Sequence, residues 1–168
     1  MNFDNFTIKS QEAIQTAAQI AARKNQQAIE PAHLLEGVLQ VGESMVNYIF
    51  QKLGINANML KMSIERVIDS YPKVSGGEPY LSRETNEVLQ KSVDYAKKSG
   101  DQFVTLESIL MALLQTKGQV SSLMKDAGIV EKELGAAIDE LRKGKKATDA
   151  SAEDTYNALS KYAINLNE

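Results

Sequence analysis

The chain contains no cysteine and a single histidine. Without cysteine it has no disulfide framework and no thiolate nucleophile. One histidine without cysteine partners cannot assemble a zinc site from the usual protein ligands. A chain without disulfides suits a reducing compartment, so we expect a cytoplasmic protein that binds no metal.

The chain also lacks an excess of positive charge and a long apolar run. Its 168 residues carry 19 Lys and Arg against 22 Asp and Glu, a formal net charge of −3. This balance argues against a nucleic-acid partner, because such proteins normally present a basic face. No apolar run approaches the roughly 20 residues that cross a bilayer. The first ten residues, MNFDNFTIKS, lack the order of a signal peptide, so we expect neither a leader nor a membrane partner.

Catalytic motifs are missing as well. The sequence has no G-x-x-x-x-G-K-[ST] phosphate-binding loop and no G-x-S-x-G nucleophile motif. The lone His33 lies beside an apolar helical stripe, which favours a structural role in the first turn of a helix. Asp101 and Glu107 could act as a paired acid and base. No oxyanion donor or metal ligand accompanies them, so helix capping or partner binding is the better interpretation, and we expect a non-catalytic chain.

The feature that is present is a duplication. Gly100–Gln115 reads GDQFVTLESILMALLQ and echoes Asn25–Gln40, which reads NQQAIEPAHLLEGVLQ. An offset of 75 residues relates the two stretches, and such self-similarity indicates a repeat architecture. Each stretch carries four apolar residues at spacing i, i+1, i+4, i+5, which places them on one side of a helix. Burying four such side chains contributes up to about 6–12 kcal/mol per helix, so we expect this helix pair to form the core.

The duplication predicts an all-α fold of two pseudo-symmetric four-helix repeats. We expect the first helix of each repeat to start after Thr7 and Ser82, because both are good N-cap residues. Pro31 fits the first turn of the second helix, and Thr105 caps its counterpart. The predicted third helices end at glycines 54 and 128, where the offset falls to 74.

The predicted boundaries follow from these repeats. Residues 1–70 form the first repeat, residues 71–80 the inter-repeat loop, and residues 81–143 the second repeat. The loop, YPKVSGGEPY, reads as a hinge between two bundles, and a groove between them would bind peptides. Residues 144–168 begin with a polar stretch, Gly144–Ala152, which predicts a flexible linker. A short C-terminal linker helix, Glu153–Ala163, follows.

Four stretches carry a family resemblance: FTIKSQEAIQTAAQIA near the start, IEPAHLLEGVLQ, GIN at Gly54–Asn56, and GDQFVTLESILMALL. With these, the chain resembles the N-terminal domain of the Clp AAA+ ATPases, the double Clp N motif. The tail AEDTYNALSKYAINLNE resembles the segment that leads into the first ATPase module of the bacterial disaggregase members. The resemblance covers essentially the whole chain.

The resemblance implies a domain tethered by a mobile linker above a homohexameric ATPase ring. Such a domain captures unfolded or aggregated polypeptide, as part of the heat-shock stress response, and passes it to the ring for refolding. ATP and Mg would be bound by modules outside this chain, and a DnaK-type chaperone system would cooperate with the full protein. The piece itself would be a monomer without a cofactor. An alternative is the adaptor-docking N domain of a protease-coupled Clp unfoldase.

The resemblance also implies site residues. Polar positions of the family's function correspond to Thr7, Asp101 and Glu107. A neighbouring apolar patch for substrate would include the residues Tyr95, Leu89 and Ile109, although helix-spaced apolar residues are more often core. Two further positions of that patch are polar in this chain, Lys91 and Ser108.

Overall fold

A computed structural model describes residues 2–154 of the chain. These residues form eight helices and two very short strands, which confirms the predicted all-α class. In chain order the elements are α1 (Ile8–Arg23), β1 (Ala28–Ile29), α2 (Pro31–Val41), α3 (Glu43–Leu53), α4 (Ala57–Ser70), β2 (Tyr80–Leu81), α5 (Arg83–Lys98), α6 (Leu106–Gln115), α7 (Gln119–Asp126) and α8 (Glu131–Arg142).

The helix starts lie where the capping residues predict them. The side chains of Thr7, Ser82 and Thr105 each accept a hydrogen bond from the main-chain N–H three residues later, at 3.1, 3.1 and 3.3 Å. Pro31 occupies the first turn of α2, where its missing N–H would have no partner inside the helix. Gly54, which ends α3, has a φ of 69°, a left-handed conformation that glycine adopts without a Cβ penalty.

Helices α2 and α6 form the centre of the core, as the apolar stripes predict. Leu35 and Leu110, related by the repeat, are both fully buried. Helix α1 lies especially close to α2, because Gly37 has no side chain. A Cβ built at Gly37 would stand 2.3 Å from the main-chain oxygen of Ala13. This glycine therefore sets the distance between the two helices.

The two repeats are joined by reciprocal strand pairing. Strands β1 and β2 are parallel, with Ile29 opposite Leu81. A parallel bridge joins Phe6 and Val104 in the same way. The offset of 75 residues turns one pair into the other. In each repeat, the segment just before the first helix therefore pairs with the segment just before the second helix of the other repeat.

The repeats also exchange helix contacts. Helix α3 of the first repeat packs on α8 of the second, and α4 packs on α7. The expected pair of separate bundles joined by a hinge is therefore wrong, because the two repeats pack directly on each other. The buried faces of α3 and α4 pack partly against helices of the other repeat, so the expected open groove is reduced to a small cleft between α2 of the first repeat and α5 and α7 of the second. The loop after α4 is a loop as predicted, but it is tied to the first repeat by a 2.7 Å hydrogen bond from the N–H of Val74 to the oxygen of Asn25.

Residues 144–154, which we call the C-terminal strap, correct a second expectation. We predicted a flexible linker over Gly144–Ala152, but the strap packs on the starts of α1 and α6. The carbonyl oxygen of Ala147 accepts bonds from the N–H groups of Gln102 and Phe103 at 2.9 and 3.2 Å. Its polar composition hid this docking, which uses main-chain groups. Residues 152–154 are helical, and the rest of the predicted helix Glu153–Ala163 lies outside the described residues.

Within the part of the chain that the structure describes, none of the helices has the length and apolar character needed to cross a membrane.

Candidate functional site

A buried ionic network surrounds Arg142, the last residue of α8. Its Nη1 donates to both carboxylate oxygens of Asp101, at 2.9 and 2.7 Å. Its Nε donates to Oε2 of Glu107 at 3.0 Å, and its Nη2 donates to the hydroxyl of Thr105 at 2.8 Å. The side chains of Asp101 and Glu107 are fully buried. One guanidinium group therefore holds the end of α8 against the start of α6.

Local sequence explains how these groups meet. Asp101 lies in the turn after α5, Thr105 is the N-cap of α6, and Glu107 is in its first turn. An acidic side chain there interacts favourably with the helix dipole. Burial alone would lower the pKa of Arg142, but the charges of Glu107 and Asp101 and the hydrogen bonds to them raise it overall. Arg142 is therefore a permanent cation in this network.

Glu153 of the strap joins the network from the other side. Its Oε2 accepts a 2.5 Å hydrogen bond from the hydroxyl of Thr7 and a 3.0 Å bond from the N–H of Leu106. One carboxyl group thus contacts the first turns of both α1 and α6. Burial, followed by the charge of Glu107, raises the pKa of Glu153 to about 7.

Two oxygen atoms in this region have no hydrogen-bond partner among the described residues, Oε1 of Glu107 and Oε1 of Glu153. Both are shielded from solvent, and leaving a buried acceptor unpaired normally costs about 1–3 kcal/mol. The network therefore pairs Arg142 with two carboxylates and a hydroxyl, but leaves one oxygen of Glu107 and one of Glu153 without a donor among the described residues.

The structure brings together three of the site residues predicted from the resemblance. Thr7, Asp101 and Glu107 converge on Arg142 and Glu153, but all three are buried. Tyr95 is half-buried and lines a polar depression of about 410 Å³ that Arg142 also borders. Burial is the main reason why the pKa of Tyr95 is raised.

Arg142 and Glu153 were missed by the sequence reasoning. A signal for Arg142 existed, because the repeat offset of 74 aligns it with Ile68 of the first repeat. A charged residue at a position that is apolar in the other copy indicates a local specialisation. Glu153 lies beyond the repeats, and nothing in its pattern distinguishes it from a solvated acidic residue.

The remaining predicted patch residues lie inside the protein. Leu89 and Ile109 are fully buried core residues, so the apolar patch is not a surface feature formed by them. Ser108 is buried and lies 3.1 Å from the hydroxyl of Thr105. Lys91 is exposed, and its Nζ donates to the carbonyl of Gln115 at 3.3 Å.

His33 has the structural surroundings that its position predicts. Its Nδ1 accepts from the N–H of Glu30 at 2.9 Å, and its Nε2 lies 2.7 Å from Oε1 of Gln26. The first contact assigns the proton to Nε2. Burial lowers the pKa of His33 to about 4, so the ring is neutral at physiological pH. These contacts fix the start of α2 and leave no free ring nitrogen for catalysis.

A shallow cleft lies between the start of α2, helix α5 and the turn from α6 to α7. It has a volume of about 200 Å³. Val88, Leu113 and Val120 contribute apolar surface to it, and Glu84 and Lys117 stand among its polar lining residues. We call this the α5–α7 cleft. Among residues 2–154 no group of three or more His, Cys, Asp or Glu side chains is placed to hold a metal ion.

Comparisons with known proteins agree with the repeat architecture. The profile of the family described as Clp repeat (R) N-terminal domain matches residues 5–127. The chain is 61% identical over 168 residues to the Chaperone protein ClpB of Bacteroides thetaiotaomicron, covering 100% of this chain and 20% of that protein. It is 51% identical over 166 residues to the Chaperone protein ClpB of Porphyromonas gingivalis, covering 99% and 19%. The chain thus spans about a fifth of the length of these relatives.

Solved structures show the same fold. The Hsp104 N-terminal domain from Candida albicans superimposes with a TM-score of 0.78 at 19% identity, covering 89% of this chain and 99% of that one. The N-domain of ClpV from Vibrio cholerae gives a TM-score of 0.71 at 18% identity, covering 87% and 90%. Since the family profile matches well over half of the residues, the chain belongs to the Clp repeat N-terminal domain family.

Proposed function

We propose that this domain captures unfolded or aggregated polypeptide and passes it to the ATPase ring of a disaggregase. The observation that carries the proposal is the α5–α7 cleft, whose lining is mixed. Pro31, Tyr71 and the edges of the almost fully buried Val88, Leu113 and Val120 form its apolar part, and charged residues such as Glu84 and Lys117 stand beside them. Its volume of about 200 Å³ is below the ~300–1,000 Å³ of small-molecule sites, so it fits one or two side chains of a passing chain. Binding through so small an apolar area is weak, which suits a module that must release its client.

The other parts of the proposal rest on the relatives. The domain would be non-catalytic, monomeric in isolation and free of cofactors. Full-length relatives named ClpB are chaperones, and ATP, Mg, the homohexamer and the DnaK-type partner belong to the proposed full-length protein. Stress response and a cytoplasmic location follow from the same assignment.

The predicted site residues remain a proposal, and their contact with a client depends on whether they are accessible. Thr7, Asp101 and Glu107 are buried beneath or beside the C-terminal strap, so a client would reach them only after the strap moves. Tyr95 is the half-buried member of the predicted set and borders open solvent at its depression. Client contact at Tyr95 and client contact at the α5–α7 cleft are therefore separable.

An amide-shift map of the ¹⁵N-labelled chain with a reduced, carboxymethylated, permanently unfolded polypeptide tests the proposal. We expect shifts at Glu84, Val88 and Val120. Replacing Val120 by threonine keeps its shape and adds a polar group to the cleft lining, so we expect weaker client binding. Because Val120 is almost fully buried and a threonine there can destabilise the fold, urea unfolding must show that Val120→Thr is folded under the binding conditions. Val130→Thr, an exposed valine outside the cleft lining, controls for the substitution itself.

Each outcome of this titration is informative. Shifts confined to Tyr95 and its neighbours would reject the cleft and favour the face implied by the resemblance. An unchanged spectrum would reject client capture by this domain. Stoichiometric binding of a folded protein, without binding of the unfolded one, would support the adaptor-docking alternative.

A further inference from the structure

The C-terminal strap is held on the domain by a small number of main-chain hydrogen bonds. The N–H of Ile8, at the start of α1, donates to the oxygen of Ala150 at 2.9 Å. The N–H of Ala147 donates to Oδ1 of Asp101 at 2.9 Å. Together with the two bonds that Ala147 accepts, these contacts tie the strap to the first residue of α1 and to the turn that precedes α6.

The strap buries little apolar surface. Its buried side chains are those of Ala147, Ala152 and Glu153, and the two alanines each contribute a single methyl group. The apolar driving force for docking scales with the area removed from water, so it is small here. The docked position therefore depends on these hydrogen bonds and on the contacts of the buried Glu153 carboxyl group with Thr7 and Leu106.

The charges around Glu153 make its ionised form unfavourable. Asp101 and Glu107 are two carboxylates that share one guanidinium, that of Arg142. A third buried negative charge at Glu153 would have no cation of its own in this network. On the solvent side, Lys9 of α1 lies 3.8 Å from Asp154, an exposed neighbour in the strap, and that pair is partly solvated.

The unpaired oxygens also favour the protonated form of Glu153. Oε1 of Glu107 and Oε1 of Glu153 are both buried acceptors without a donor among the described residues. A proton on Glu153 removes one of the negative charges and supplies a donor. The N–H of Leu106 and the hydroxyl of Thr7 continue to bond to Oε2 in either state.

We propose that the C-terminal strap is a pH-gated latch, docked when Glu153 carries a proton and released when that proton is lost. Release uncovers the first turns of α1 and α6, where the hydroxyl of Thr7 and the N–H of Leu106 are left open to other acceptors. The latch acts within this domain.

The direction of the pH effect follows from linkage. The pKa of Glu153 is about 7 when docked and 4.5 by its ordinary value. Docking is therefore fully favoured below the lower value and lost progressively as the pH rises through the higher one. The difference corresponds to a decrease of at most about 300-fold in the docking equilibrium between acid and alkaline pH.

The test follows Glu153 directly in the full 168-residue chain, without a client. We expect its ¹³C side-chain carboxyl signal to titrate with a midpoint near 7 between pH 4 and pH 9, and the amide signals of Leu106 and Ala147 to move with the same midpoint. In Glu153→Gln the amide oxygen still accepts both hydrogen bonds but cannot ionise, so we expect those amide signals to stay constant. Asp154→Asn removes the neighbouring exposed charge and should leave the midpoint in place.

Three results would overturn the latch. These are a midpoint for Glu153 near its ordinary value, constant Leu106 and Ala147 signals in the unmodified chain, and a pH-dependent movement of those signals that persists in Glu153→Gln. Because the substituted amide keeps the acceptor, a folded Glu153→Gln chain is expected. The carboxyl titration of the unmodified chain decides the question even if the variant does not fold.

A consequence for client access rests on the proposed function. If clients use the uncovered turns, the unfolded polypeptide should shift the amide signals of Ile8 and Leu106 at pH 8.5 but not at pH 6. A Glu153 titration with a midpoint near 7 and no client binding would retain the latch and reject the function. Client binding without any titration near pH 7 would do the reverse.

Discussion

The hydroxyl of Ser10 donates a 2.9 Å hydrogen bond to the carbonyl oxygen of Val104, which lies in the other repeat. The counterpart contact is made by Thr85, whose hydroxyl donates to the oxygen of Ile29 at 2.8 Å. The N–H groups of Thr7 and Ser82 donate to the same two oxygens, at 3.0 and 3.1 Å. The pseudo-twofold relation between the repeats therefore extends to individual hydrogen bonds.

Removing either hydroxyl should cost the same amount. We expect Ser10→Ala and Thr85→Val each to lower the free energy of unfolding by about 1–3 kcal/mol, because each removes two buried hydrogen bonds of roughly 0.5–1.5 kcal/mol. One is donated to the carbonyl of Val104 or Ile29, and the other is accepted from the hydroxyl of Thr7 or Ser82. Urea unfolding followed by circular dichroism measures both changes. Ser63→Ala is the control, since that hydroxyl bonds within an exposed helical turn. Costs that differ several-fold would show that the two contacts are not energetically equivalent.

Gly37 should be intolerant of a single methyl group. A Cβ at this position would stand 2.3 Å from the main-chain oxygen of Ala13, so α1 and α2 must separate to accept it. We expect Gly37→Ala to destabilise the domain by about 1–3 kcal/mol, the usual cost of overpacking.

The matched control is Gly135→Ala in α8. The nearest atom to a Cβ there is the end of the Met111 side chain at 3.7 Å, an ordinary contact. Replacing glycine by alanine inside a helix gains about 0.8–1.0 kcal/mol of helix propensity, so this variant should be more stable than the unmodified chain. Thermal unfolding of both variants checks the pair, and destabilisation by both would contradict the packing argument.

Arg142→Met should be severely destabilising. The substitution keeps much of the volume but leaves the buried carboxylates of Asp101 and Glu107 without their shared cation. Breaking a buried ion pair on one side costs about 3–5 kcal/mol, and we expect a loss in that range. Lys52→Met is the control, because Lys52 pairs with Glu140 at the exposed surface and should change stability little. Equal stability of Arg142→Met and the unmodified chain would contradict the role of Arg142.

His33 and Glu153 should give stability profiles of opposite slope. The pKa of His33 is about 4 in the fold, below its ordinary 6.5, so its contribution is present above pH 6.5 and lost as the pH falls. Glu153 contributes below pH 4.5 and loses its contribution as the pH rises through 7. Between pH 4.5 and 6.5 the two contributions oppose each other.

Substituting either residue should leave the pH dependence of stability that the other residue contributes. In His33→Gln, the glutamine retains the acceptor for the Glu30 N–H in the capping box but does not titrate, so we expect stability to fall with rising pH in this window. Glu153→Gln should show the reverse slope. Denaturant midpoints measured at half-unit intervals of pH check both profiles, and parallel slopes in the two variants would reject the assignment.

Local patterns predicted most of the fold. Thr7, Ser82 and Thr105 are recognisable caps, because a short side chain that accepts a main-chain hydrogen bond acts over three residues. The stripes of α2 and α6 identify the core because burial requires one continuous apolar face. None of these inferences depends on how distant segments pair.

The interlocking of the repeats could not be predicted in this way. Strands of two residues are too short to show an alternating pattern, and Ala28–Ile29 reads equally well as a loop. Which repeat covers α3 is decided by packing between segments far apart in the chain. The docking of the strap was hidden for a similar reason, since its bonds come from the main chain, which is the same in every sequence.

The reciprocal pairing has a consequence for any attempt to divide the protein. A first repeat expressed alone would retain Ile29 without Leu81 and Phe6 without Val104. Two copies of that single repeat would satisfy each other by the same exchange, since a twofold axis relates the missing partners. The domain is in this sense a homodimer whose subunits have been fused into one polypeptide.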